Sequence, residues 1–124
     1  MTALNESRDA LRAANGPPCA RLSAGAAANL FGVPLIEIDA PTRRTAPVAR
    51  ARQVAIYLAH VGFGEAEAAV SAAFNRHRTT VRHACALIED RRDDGDFDWS
   101  MDVLEAALRG YASAFFTSTP KDVR

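Results

Sequence analysis

The feature that most constrains this chain is the recurrence of apolar residues at helical spacing between short, well-marked breaks. The strongest stretch runs from Ala46 to Val61, where Val54, Tyr57, Leu58 and Val61 fall at i, i+3, i+4 and i+7 and predict one core-facing stripe. Gly62-Phe63-Gly64 ends it. A short helix is expected from about Glu65 to Phe74 with Val70, Ala73 and Phe74 inward, then a tight turn at Asn75-Arg76. A third helix, Arg78 to Arg91, places Val81, Ala84, Cys85 and Ile88 on one face and Arg78, Thr79, Arg82 and His83 largely on another. Upstream, Leu22, Ala26 and Leu30 line one face of a helix over Ala20 to Phe31 that Gly32 stops, and Pro34 to Ile38 fits a single turn. Pro41 to Thr45 is a basic connector with Thr45 as N-cap, and a short helix is conceivable near Arg8 to Ala14. Downstream, Asp96 to Asp98 caps a last helix with Met101, Leu104, Leu108 and Tyr111 inward. No strand pattern competes, so the expected class is all-α.

A chain of 124 residues suits one small core with tails. Residues 1–18, ending in Gly16-Pro17-Pro18, read as an N-terminal arm, 19–110 as the domain and 111–124 as a C-terminal tail. Neither a spanning helix nor a signal peptide is recognisable, which makes the cytoplasm the expected location. Cys19 and Cys85 sit in unlike settings and suggest neither a disulfide framework nor a zinc site. The formal net charge is zero, yet its distribution is uneven. Between Pro41 and His83, Arg43, Arg44, Arg50, Arg52, Arg76, Arg78 and Arg82 face only Glu65 and Glu67, a local surplus of about five positive charges. From Asp93 to Glu105 the acids Asp93, Asp94, Asp96, Asp98, Asp102 and Glu105 stand without a base between them. Arg outnumbers Lys heavily, which suits bidentate contacts to phosphate or guanine. A GC-rich genome would produce the same bias.

A short helix, a tight turn and an Arg-rich helix form the order of a helix-turn-helix, the second helix of which can enter the major groove of DNA. Two blocks narrow this reading: Phe74-Asn75-Arg76-His77-Arg78-Thr79-Thr80-Val81-Arg82-His83-Ala84, and Ala49-Arg50-Ala51-Arg52-Gln53-Val54-Ala55-Ile56-Tyr57-Leu58 before it. They resemble the signature of the C-terminal DNA-binding domain of the chromosomal replication initiator DnaA, with F-G-R-D-H-T-T-V-x-H-A on the recognition helix and A-R-x-R-Q-x-A-x-Y-L on the preceding long helix. Ala28-Asn29-Leu30-Phe31-Gly32-Val33 resembles that family's opening helix and loop, so the likeness extends from about Cys19 to Leu108. It implies a small helical, TrpR-like helix-turn-helix that binds double-stranded DNA.

The resemblance also implies roles. Arg44 matches an arginine entering the minor groove, a task suited to a basic connector. Thr79 matches a base-contacting threonine, while Arg52 and Gln53 match phosphate-holding residues, and Thr80 and His83 match positions that support or contact the backbone. Arg43, Arg50 and Arg76 join the phosphate set as nearby cations, and Arg82, one turn beyond Thr79, joins the base-reading set. The family's Asp-His pair is replaced by His77-Arg78 where bases are read; an Arg there suits guanine O6 and N7, whereas the aspartate's N-cap is lost.

No G-x-x-x-x-G-K-[ST] loop is present, so neither a nucleotide nor any other cofactor is expected, nor replication initiation by this chain alone. Similar domains occur in alphaproteobacterial transcription regulators, including activators of gene transfer agents. That analogy implies a transcription partner protein or RNA polymerase contact, with Tyr111 to Phe116 as a docking segment. The alternatives are a copy-control regulator competing for initiator sites, and a protein-interaction adaptor that has lost DNA affinity. His77 and His83 lack further ligands at metal-binding spacing, and the Asp93 to Asp98 run lacks the period of a calcium loop. Tyr57 and Phe74 are expected in the core and Trp99 as a packing anchor. No nucleophile with its base and no carboxylate pair suggests an enzyme.

Overall fold

The computed structural model describes residues 18–40 and 45–116, and among them every regular element is a helix. In chain order these are α1 (Pro18–Phe31), α2 (Leu35–Ile38), α3 (Ala46–Tyr57, continuing into a π-helical turn over Leu58–Gly62), α4 (Glu67–Phe74), α5 (Arg78–Arg91) and α6 (Gly95–Phe116). No helix among the described residues is long and apolar enough to cross a membrane. The arm at 1–17, with the short helix expected there, lies outside the described residues.

Helix α3 is the axis of the fold. Val48, Ala51, Val54, Ala55, Ile56 and Tyr57 are all buried along it, because α1 covers one side and α5 another. The α1 contact is the more extensive and it is made by small residues. Ala20, Ala24, Ala27 and Ala28 are buried, whereas Leu30 is 49% exposed and Leu22 and Ala26 are only partly covered. The face that Leu22, Ala26 and Leu30 share is therefore not the one most deeply packed in the core. Alanines on α1 meet a helix that presents Ala51, Ala55 and Ala59, and small side chains on both partners let the axes approach closely.

Gly32 ends α1 as expected, at a φ of +65°, with its own N–H donating to Asn29 O and the Val33 N–H to Ala28 O. This double bond is the Schellman arrangement that a left-handed residue makes possible. The same device closes α4. Asn75 takes a φ of 54°, its N–H donates to Ala72 O, and the Arg76 N–H reaches Ser71 O at 2.9 Å. Asn is among the few non-glycine residues that tolerate this region.

The stripe on α3 departs from expectation at one end. Val54, Tyr57 and Leu58 are buried but Val61 is 44% exposed. The Phe63 N–H donates to Leu58 O, an i to i−5 bond, and the residue inserted by that wider turn takes Val61 off the stripe.

Helix α6 corrects expectations about its cap, Trp99, the acids and Tyr111. Its first amides are capped by Asp94, the Oδ1 of which accepts from the Asp96 and Phe97 N–H groups at 3.0 and 3.4 Å, and not by Asp96 or Asp98. Trp99 is no anchor but 68% exposed, since Met101 faces the core and a residue two positions earlier lies about 160° around the helix from it. Nor do the acids stand alone. Arg92, only 15% exposed, donates through Nε to Asp98 at 2.6 Å and through Nη1 to Glu105 and the Tyr57 hydroxyl, both at 3.0 Å, and through Nη2 to Asp102. Arg109 adds a bond to the Gly62 carbonyl at 2.8 Å. The helix runs through position 110 to Phe116, and Tyr111 is 52% exposed.

Two stability predictions follow from these caps and pairs. Asn75→Gly should gain about 0.5 kcal/mol in urea unfolding and Asn75→Ala should lose about 1 kcal/mol, because only the former relieves the left-handed backbone. Arg92→Ala should lose about 2 kcal/mol in the same measurement, since it leaves three carboxylates together without their shared donor.

Candidate nucleic-acid interface

Helix α5 supplies a surface of hydrogen-bond donors because its periodicity separates the two faces. Val81, Ala84 and Ile88 are buried beneath, and Arg78, Thr79, Thr80, Arg82 and His83 are all exposed. Arg78 and Arg82, like Thr79 and His83, are one turn apart and share a face. The start of α5 is open. His77 is the N-cap residue in extended conformation, its side chain makes no capping bond, and no acid occupies the first turn, so among the described residues no side chain caps the first amides beside the exposed threonines. Such an end favours anions.

Helix α4 and the Asn75 turn fix how this surface is presented. Val70 and Phe74 hold α4 to the core, and the Ser71 hydroxyl donates to the Arg76 carbonyl across the turn. One acid sits on this side. Glu67, at the beginning of α4, accepts from Arg82 Nε at 2.9 Å, and that guanidinium holds the Glu67 carboxyl below its usual range.

The remaining cations divide sharply. Arg50 is exposed on α3 and Gln53 is half-buried one turn on, both compatible with the phosphate contacts expected of them. Arg52 is not placed as expected. It is 8% exposed, and its Nε donates to Ile38 O at 2.8 Å and its Nη2 to Glu37 O at 2.9 Å and Ala40 O at 3.5 Å. The physical reason is α2: four residues are too few to satisfy their own last carbonyls, and a buried guanidinium supplies the missing donors.

Arg76 does related work from the helix-turn-helix side. Its Nη2 donates to the same Ala40 O at 2.6 Å, and its Nη1 to Phe74 O and Asn75 O at 3.3 and 3.2 Å. Both arginines are thus spent largely on backbone oxygens instead of being offered to phosphate. The connector residues Arg43 and Arg44 lie outside the described residues; the chain enters that connector from Ala40, where the two arginines converge, and leaves it at Thr45. Neither the Glu67–Arg82 pair nor the convergence on Ala40 was expected from sequence. The partners are 15 and 36 positions apart, and no local pattern marks them.

A short helix, a left-handed turn and a second helix with exposed arginines, threonines and a histidine on the outer face of its first two turns define a helix-turn-helix DNA-binding protein. Residues 25–88, just over half of the chain, match the family described as Bacterial dnaA protein helix-turn-helix. The chain belongs to that family. The match begins within α1 and ends within α5, so α6 lies beyond it. Neither a curated protein nor a solved structure matches the chain.

The burial of Arg52 sets its own test. Arg52→Ala should cost about 2 kcal/mol of unfolding free energy in urea, because the buried Ile38 carbonyl loses its Arg52 donor and those of Glu37 and Ala40 each lose one of their donors. Arg50→Ala, on the exposed side of the same helix, should leave stability within about 0.5 kcal/mol.

Proposed function

We propose that this protein is a sequence-specific transcription regulator that lays α5 in the major groove of its site. The reading rests on one observation above all: five exposed polar or basic side chains, Arg78, Thr79, Thr80, Arg82 and His83, on the outer face of a helix whose inner face is buried. In this proposal Arg78, Thr79 and Arg82, with His77 at the helix start, meet base edges. Thr80, His83, Arg50 and Gln53 hold phosphates, and the Arg43-Arg44 connector supplies the minor-groove contact. Arg52 and Arg76 act through Ala40, setting where that connector departs. A partner protein that docks on the exposed apolar residues of α6 would supply the contact to RNA polymerase.

The replacement of the family's Asp-His by His77-Arg78 argues for a target unlike the initiator's own site. Arginine presents two parallel donors that fit guanine O6 and N7, and adenine offers an acceptor beside a donor instead.

Selection of bound duplexes from a random library at about 0.15 M salt should enrich one motif of several base pairs, since non-specific binding is largely suppressed there. Arg78→Ala or Thr79→Ala should cost about 1–3 kcal/mol on that motif and relax preference at one position. Arg50→Ala should weaken all duplexes alike. With about four phosphates engaged, log affinity should fall against log salt with a slope of about −3.5. Enrichment of the initiator's own site would favour a copy-control role, and no enrichment at all would overturn sequence-specific reading in favour of a protein adaptor.

A further inference from the structure

We infer that Glu67 is a positioning residue that aims Arg82 at a guanine, an inference that rests on the proposed reading of DNA by α5. The guanidinium of Arg82 is planar and carries its donors in a fixed fork. Its Nε is engaged by Glu67 Oε2 at 2.9 Å, and among the described residues no other protein group accepts from it. The edge formed by Nη1 and Nη2 is therefore left open on a side chain that is 60% exposed. Two parallel N–H groups on that edge match the O6 and N7 acceptors of guanine in the major groove.

The pair spans the two helices of the reading unit. Glu67 stands in the first turn of α4 and Arg82 on the outer face of α5, so the carboxylate restrains a long side chain that would otherwise sample many rotamers above the groove. Arg78, one turn before Arg82, also acts on Glu67 electrostatically, so the acid is set among the arginines of this surface. Stability does not explain it, since an exposed ion pair contributes little to folding. An acid here also repels phosphate. That lowers affinity for every duplex and raises the share of binding that depends on the correct base.

The test is duplex selection with the full chain, its Glu67→Gln and Arg82→Lys variants, and the double variant, with thermal unfolding to confirm that each is folded. A G·C pair in the wild-type motif should lose at least threefold of its preference in either single variant, with no further loss in the double. Preference elsewhere should persist, and Glu67→Gln should bind random duplex more tightly than wild type. If Glu67→Gln raises affinity for all duplexes equally and leaves every position of the motif unchanged, Glu67 is a surface charge and the inference is wrong. A wild-type protein that selects no motif overturns the DNA reading itself, and this inference with it, which is a different result from a motif that ignores Glu67.

Discussion

The end of α2 is where the architecture is most exposed to failure, and the buried guanidinium of Arg52 is what secures it. A four-residue helix cannot satisfy its own carbonyls, and here those of Glu37, Ile38 and Ala40 turn inward against α3. An apolar residue at position 52 would take the Arg52 donor from the buried Ile38 carbonyl and one donor each from those of Glu37 and Ala40. Arg52 meets them with two arms of one planar group, and Arg76 reaches the same Ala40 oxygen from the helix-turn-helix. A single carbonyl thereby registers three parts: the end of α2, the axis of α3 and the turn before α5. The chain enters the basic connector from that point.

The regular elements were legible because their signals are local. Helix α5 runs from Arg78 to Arg91 as its periodicity and the preceding turn indicate, and Gly32 and Asn75 stop their helices through a backbone conformation open to few residues. What sequence did not reveal was orientation where the apolar choice was ambiguous. On α1 the spacing of Leu22, Ala26 and Leu30 marks one face, yet Ala20, Ala24, Ala27 and Ala28 are the residues buried, against a helix that also presents alanines. Val61 followed the stripe until a π turn, invisible to a 3.6-residue template, rotated it outward. Residue type does not place Trp99 in the core, since Phe97, Met101, Leu104 and Leu108 already form the inner side of α6.

The site divides along the same line. That Arg78, Thr79, Thr80, Arg82 and His83 share the outer surface of α5 follows from helical geometry, and the structure places them there. Which arginines remain available does not follow from geometry of that kind. Arg50 and Arg52, two positions apart, lie about 160° from each other around α3, and sequence alone does not say which of the two faces meets the carbonyls at the end of α2. A count of basic residues treats Arg52 and Arg76 as phosphate ligands. Their hydrogen bonds make them parts of the scaffold.

A net charge of zero is compatible with this function because charge acts locally. At physiological ionic strength, exposed charges more than about 8 Å apart are largely screened from each other. The acids Asp98, Asp102 and Glu105 are gathered around Arg92, so one positive charge offsets part of the three negative ones where they stand. On the reading surface the one acid of α4 is itself paired with Arg82. The field that a phosphate meets at close range is therefore set by the donors of α5 and the exposed arginine of α3. The formal sum over the chain bears instead on approach from a distance, where opposite patches cancel and steering toward DNA is weak.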